Sequence, residues 1–213
     1  MATQPIPTRE WPQADRLEKV VTTVEAISKG KSSYQAIARE LGELDERQGR
    51  YYRRASEILG FTKRLQENFS TLTSLGRDFL LAEPARRNQL LTTQVLSRPV
   101  IRSVVAVLAS ATGKRTSRPN LESSLSTVAK TTKGMVHRRL TTVLSWLETL
   151  GVVSRKGQWV RLRSLPPEVG EIELPNDVPV IPKPSELKLF HEVSHRFKDA
   201  SRVIRFEVDT ATV

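Results

Sequence analysis

The sequence predicts a mostly α protein of the α+β type, and three observations predict it. Apolar residues recur at helical spacing in two successive stretches. Each stretch closes on a short alternating segment that reads as a β-hairpin. Glycines and capping residues punctuate both stretches in the same order. The chain's 213 residues allow one or two ordinary domains.

The elements follow one another legibly. "ADRLEKVVTTVEAISKG" places Leu17, Val20, Val21, Val24 and Ile27 on one helical stripe, closed by Gly30. "SSYQAIARELG" is a short helix with Ser32 or Ser33 as N-cap and Gly42 after its end. "DERQGRYYRRASEILG" starts on Asp45 and stops at Gly60. Its apolar face is Tyr51 or Tyr52, Ala55, Ile58 and Leu59, and its opposite face carries Arg47, Arg50 and Arg54. "FTKRLQENFSTLT" alternates as two strands around residues 66–68, and "TSLGRDFLLA" returns to helix.

The second stretch repeats the order with unrelated residues. "RPVIRSVVAVLASATG" is an apolar helix with Pro99 in its first turn, and "SRPNLESSLSTVA" is a shorter one capped near Asn120. "TTKGMVHRRLTTVLSWLETLG" buries Val136, Leu140, Val143, Leu147 and Leu150, and turns Lys133, His137, Arg138 and Thr141 outward. "VVSRKGQWVRL" is a hairpin with Lys156-Gly157 at its turn and Trp159 anchoring the return strand. Three helices and a hairpin, twice over, describe tandem winged helix-turn-helix domains with short β-hairpin wings, over residues 14–83 and 84–165. Residues 166–184 hold six of the chain's 12 prolines and read as an extended linker. Residues 185–213 read as a helix-strand tail, the start of a further domain.

Charge is segregated along the chain. The net charge is +11, yet residues 1–83 carry 13 Lys/Arg against 12 Asp/Glu. Residues 84–167 carry 15 against two, Glu122 and Glu148, and residues 168–213 carry six against nine. Basic charge gathered in one segment is the footprint of polyanion binding. A helix fits the major groove of B-DNA, and its first turns reach base edges. The third helix of each unit is therefore the candidate reader: Arg47, Gln48, Arg50 and Arg54 in the first, Thr131, Thr132, Lys133, His137 and Arg138 in the second. The hairpins and their surroundings supply candidates for phosphate and groove-edge contact: Lys63, Arg64 and Gln66, then Arg115, Arg118, Arg155, Lys156, Gln158 and Arg161. The expected partner is double-stranded DNA, and no cofactor, metal or membrane is expected.

Residues 44–80 carry a resemblance to a known family. Asp45, Arg47, Gln48, Tyr51 and Tyr52 form a D-x-R-Q-x-x-Y-Y helix. Leu59-Gly60 and the Thr73–Gly76 strand-to-helix corner follow it. This pattern resembles winged-helix DNA-recognition domains associated with type II restriction endonucleases. The resemblance implies a target-recognition module, joined to or partnered with a nuclease domain or subunit. The alternatives are a transcriptional regulator and, from another class, a protein-binding scaffold.

Two enzyme readings fail on the sequence. A restriction-type catalytic core needs an Asp and Glu-x-Lys on adjoining strands to hold Mg²⁺. Glu186-x-Lys188 lies in a predicted helix, and the 46 residues after Pro167 are too few for the required sheet. "HEVSH" gives His191, Glu192 and His195 the H-E-x-x-H spacing of a zinc peptidase. Position 198 is Lys198 and position 201 is Ser201, so the extended motif with a third His is absent, and a proline-rich segment stands where a sheet should precede it. No catalytic residue is assigned. The absence of cysteine and of an apolar N-terminal segment predicts a cytoplasmic protein.

Overall fold

The stripe beginning at Leu17 folds as α1 (Leu17–Ser28), burying Leu17, Val20, Val24 and Ile27. A computed structural model describes residues 5–130 and 132–163, a mostly helical α+β arrangement. Ahead of α1, an N-terminal arm contains β1 (Ile6–Pro7) and a 3₁₀ turn over Thr8–Glu10. Ser33, not Ser32, caps α2 (Tyr34–Glu40), its hydroxyl accepting from the Ala36 N–H at 3.2 Å. Asp45 caps α3 (Glu46–Ile58) through the Arg47 N–H at 2.8 Å. Helices α2 and α3 touch backbone to backbone at Gly49, where an added Cβ would run into the Tyr34 carbonyl oxygen.

The first hairpin pairs β2 (Thr62–Gln66) antiparallel with β3 (Phe69–Leu72) around Glu67 and Asn68, with a bulge at Leu65. The corner after it explains the Thr73-x-x-Gly76 pattern. The Thr73 hydroxyl accepts the Gly76 N–H at 3.0 Å and lies 2.6 Å from the Gly60 carbonyl, to which it donates. Helix α4 (Ser74–Leu81) thereby crosses so close to Phe61 that only glycine fits at position 76. Phe61 and Phe79 close the contact with ring centroids 4.4 Å apart.

Helix α5 (Pro84–Leu96) is an element the sequence pattern did not single out; its polar exposed residues interrupt the stripe. Helix α6 (Pro99–Ser110) is buried almost all round, from Val100 to Leu108, as expected for a central helix. Among the described residues no single helix is long and apolar enough to cross a membrane; α5 and α6 qualify only together, and they are bent by 82°. Then come β4 (Arg115–Ser117), α7 (Arg118–Val128), β5 (Ala129–Lys130) and α8 (Lys133–Thr149). Ser117, rather than Asn120, caps α7, because Pro119 sits in the first turn where its missing N–H costs nothing. The second hairpin, β6 (Val153–Lys156) and β7 (Trp159–Leu162), turns on Gly157-Gln158, one residue later than expected, with Gly157 at φ +58°. Strand β4 joins it in a three-stranded sheet of order β4-β7-β6. Val160 and Leu162 anchor this sheet to the core, whereas Trp159 faces outward.

The arm ties the halves together. Strand β1 pairs in parallel with β5, Ile6 opposite Ala129, and one continuous core runs from Ile6 to Leu162. The expected linker (166–184), the tail (185–213) with His191, Glu192 and His195, and Thr131 all lie outside the described residues.

Candidate nucleic-acid interface

Helix α3 carries four arginines within eight residues, and its phase sorts them. Arg53 points inward and is buried. Its guanidinium pairs with Glu57 at 3.4 Å, donates to the Tyr34 hydroxyl at 2.7 Å and to the Glu67 carbonyl at 3.3 Å, and lies over the Tyr34 ring at 4.2 Å. Glu57 in turn accepts from Ser70 at 3.3 Å, and the Ser56 and Thr62 hydroxyls share a hydrogen bond of 2.7 Å. These bonds fix the hairpin to the helix.

Arg47 and Arg50 stand exposed on the outer face. Arg47 pairs with Asp45 at 3.6 Å, and Arg50 rests over Tyr34 at 4.9 Å with no ion pair among the described residues. Gln48 is half-buried beside them. Arg54 is half-buried and anchored, to Glu57 at 3.1 Å and to the arm's Arg9 carbonyl at 3.2 Å. The neighbouring hairpin exposes Lys63, Arg64 and Gln66.

Helix α8 supplies the second set of candidates. Thr132 caps the helix through the Met135 N–H, Lys133 is its first residue, and His137 and Arg138 are exposed. Arg118 clamps α7 to α8: it meets Glu122 at 2.9 Å, the His137 carbonyl at 3.1 Å and the Thr141 hydroxyl at 2.6 Å. His137 Nδ1 is 2.8 Å from the same carboxylate. Burial opposes ionisation of Glu122, but the hydrogen bonds from Arg118 and His137 outweigh it and hold the carboxyl below its ordinary range. The hydrogen bond from Arg155 does the same for Glu148, against a smaller opposing effect of burial. Both carboxylates of this stretch are thus engaged, and Arg115, Arg138, Lys156 and Arg161 stay exposed around them. Gln158 is exposed at the hairpin turn, and its carbonyl accepts the Arg118 N–H at 2.7 Å.

Connections that the sequence pattern did not reveal hold α3 and α8 in one frame. Arg139, buried on α8, donates to the Trp11 carbonyl at 3.4 Å. Burial pushes its guanidinium down, Tyr51 of α3 opposes this, and neighbouring Arg138 adds to it. Trp146 Nε1 donates to the Ala14 carbonyl at 2.7 Å. On α3, Tyr52 donates to Asp15 at 2.9 Å; burial and then that carboxylate push its phenol well above the ordinary range. Arg98, at the start of α6, caps the C-terminal end of α3 by donating to the Ile58 carbonyl at 2.8 Å. Arginine is ordinarily a surface residue, so nothing in the spacing marked Arg53 and Arg139 as buried or Arg98 as half-buried. Among the described residues, no group of three or more His, Cys, Asp or Glu side chains is placed to hold a metal ion.

No curated protein matches the chain. Among solved structures, that of the restriction endonuclease FokI is similar, with a TM-score of 0.54 at 14% sequence identity. The likeness covers 76% of this chain and 45% of the endonuclease chain, so it spans less than half of that protein's length. It shows a shared fold. A family model matches residues 19–152, from within α1 to just beyond α8, and the chain therefore belongs to the domain family of unknown function DUF7226.

Proposed function

We propose that the protein binds double-stranded DNA with sequence preference, as the target-recognition module of a restriction-modification type endonuclease whose nuclease is a further domain or subunit. In this reading the halves are tandem winged helix-turn-helix units, residues 14–83 and 84–165, with α3 and α8 as recognition helices. Arg47, Gln48 and Arg50, then Thr132, Lys133, His137 and Arg138, read base edges. Arg54 and Arg118 steady the two faces. Lys63, Arg64, Gln66, Arg115, Arg155, Lys156, Gln158 and Arg161 meet phosphates or groove edges.

One observation carries this reading. Two helices, each followed by a basic hairpin, present exposed cations, and the second helix and hairpin lie within a stretch of 15 basic and two acidic residues whose acids are already engaged. The fold likeness to a restriction endonuclease supports the choice of DNA as the polyanion. The test is retention of a randomised duplex library at two salt concentrations, with sequencing of what is bound. An enriched motif of several base pairs is expected. Retention without a motif, with a steep salt slope, would reduce the reading to phosphate binding alone. No retention at low salt would overturn it in favour of a protein partner.

A further inference from the structure

The chain's three tryptophans divide sharply by exposure. Trp11 and Trp146 are 1% and 0% exposed, whereas Trp159 keeps 41% of its surface open. Strand alternation explains its direction: β7 buries Val160 and Leu162, so Trp159 and Arg161 face solvent. The register sets the neighbours on that face. Trp159 stands opposite Ser117 on β4 and Lys156 on β6, and Arg161 stands opposite Arg115 and Ser154. The Arg115 guanidinium lies over the indole at 4.0 Å. Neither carboxylate of the segment belongs to this face. Glu122 is held by Arg118 and His137, and Glu148 by Arg155, whose register partner is the inward Val160. The outer face of the sheet is thus a flat aromatic ringed by three cations and two hydroxyls.

We propose that this face is a second nucleic-acid site, one that takes a single-stranded polynucleotide. An indole offers a base only its π surface, and a base in a duplex has its own π surfaces covered by neighbours. Stacking therefore requires an unpaired or extruded base. Arg115 holds the ring from one side, the open part of the indole receives the base, and Lys156 and Arg161 meet the flanking phosphates. The serine hydroxyls lie within the same patch for sugar or base-edge hydrogen bonds. The site uses neither α3 nor α8; it shares the cations Arg115, Lys156 and Arg161 with the duplex reading, and Trp159 is the side chain that belongs to the single-strand site alone.

The buried tryptophans make the experiment simple. Titration of the full chain with twelve-residue oligo(dT) and oligo(U), followed by intrinsic fluorescence, reports chiefly on Trp159. Quenching by either oligonucleotide supports the site, and the ratio of the two affinities assigns the sugar. Trp159→Ala should weaken single-strand binding about ten-fold or more, and Trp159→Phe, which keeps a ring, should retain most of the affinity while losing the quench. Unchanged emission from Trp11 and Trp146 in both variants checks that the fold survives. Duplex retention on Trp159→Ala reads the other proposal separately. Single-strand loss with duplex binding intact supports the platform. Parallel loss of both, equal quenching by a duplex, or no quenching at all overturns it.

Discussion

At the scale of the residue, the arginines of α3 show how one residue type serves two purposes. Arg53 and Arg50 are three apart, yet Arg53 is buried against Glu57 and Tyr34 while Arg50 is exposed. Arg53→Ala should cost about 2–4 kcal/mol, because it strips a buried carboxylate of one partner while Arg54 remains as the other. Urea denaturation would measure it. Arg50→Ala should leave the urea midpoint almost unmoved, and should reduce discrimination between cognate and random duplex by about 1–3 kcal/mol. Equal losses on both duplexes would remove Arg50 from base readout. Lys156→Ala, by contrast, should weaken all sequences alike and shallow the salt slope. The outer faces were legible in the sequence because charge at positions i, i+3 and i+7 stands on one side of a helix. The inner arginine was not, since its burial depends on a carboxylate four residues on and a tyrosine 19 residues back.

At the scale of the element, glycines separate propensity from packing. Gly49 lies inside α3, where alanine would ordinarily gain about 1 kcal/mol of helix propensity. The close approach of α2 reverses that sign, since the obstacle is the Tyr34 backbone rather than a movable side chain. Gly49→Ala should destabilise by about 1–3 kcal/mol. Gly134, in the first turn of α8, has open space around its Cβ position, and Gly134→Ala should stabilise by about 0.5–1 kcal/mol. Thermal melts of the two variants should move in opposite directions.

The clamp between α7 and α8 adds a pH dependence. Glu122 has its carboxyl held below the ordinary value near 4.5, so its contribution is present above that value and lost as pH falls through the lowered one. Stability should therefore be flat above about pH 5 and decline below it, with Glu122→Gln blunting the decline. Apart from α5, the helices and both hairpins could be read from apolar periodicity and caps. Strands β1, β4 and β5 could not, because two or three residues carry no period and their pairing is set by distant chain.

At the scale of the whole molecule, the N-terminal arm joins the two halves. Its carbonyls at Arg9, Trp11 and Ala14 receive Arg54 of α3 and then Arg139 and Trp146 of α8. Removing residues 1–12 should cost several kcal/mol, since it exposes the pocket of Trp11 and ends the β1–β5 pairing. A single cooperative denaturation transition should split into two, which calorimetry would detect. The sequence pattern suggests two similar units and gives no sign of this strap, whose few apolar residues carry no helical or strand period.

In the proposed reading, a strap of this kind turns two reading helices into a calliper. With α3 and α8 seated on the same short run of backbone, the distance and rotation between them are set before any DNA arrives. Each base pair added between two half-sites turns the second by about 34–36° around the duplex axis. A target lengthened by one pair should therefore lose the contacts of one helix altogether rather than weaken gradually. A target lengthened by a full helical turn should not regain them, because the strap cannot stretch.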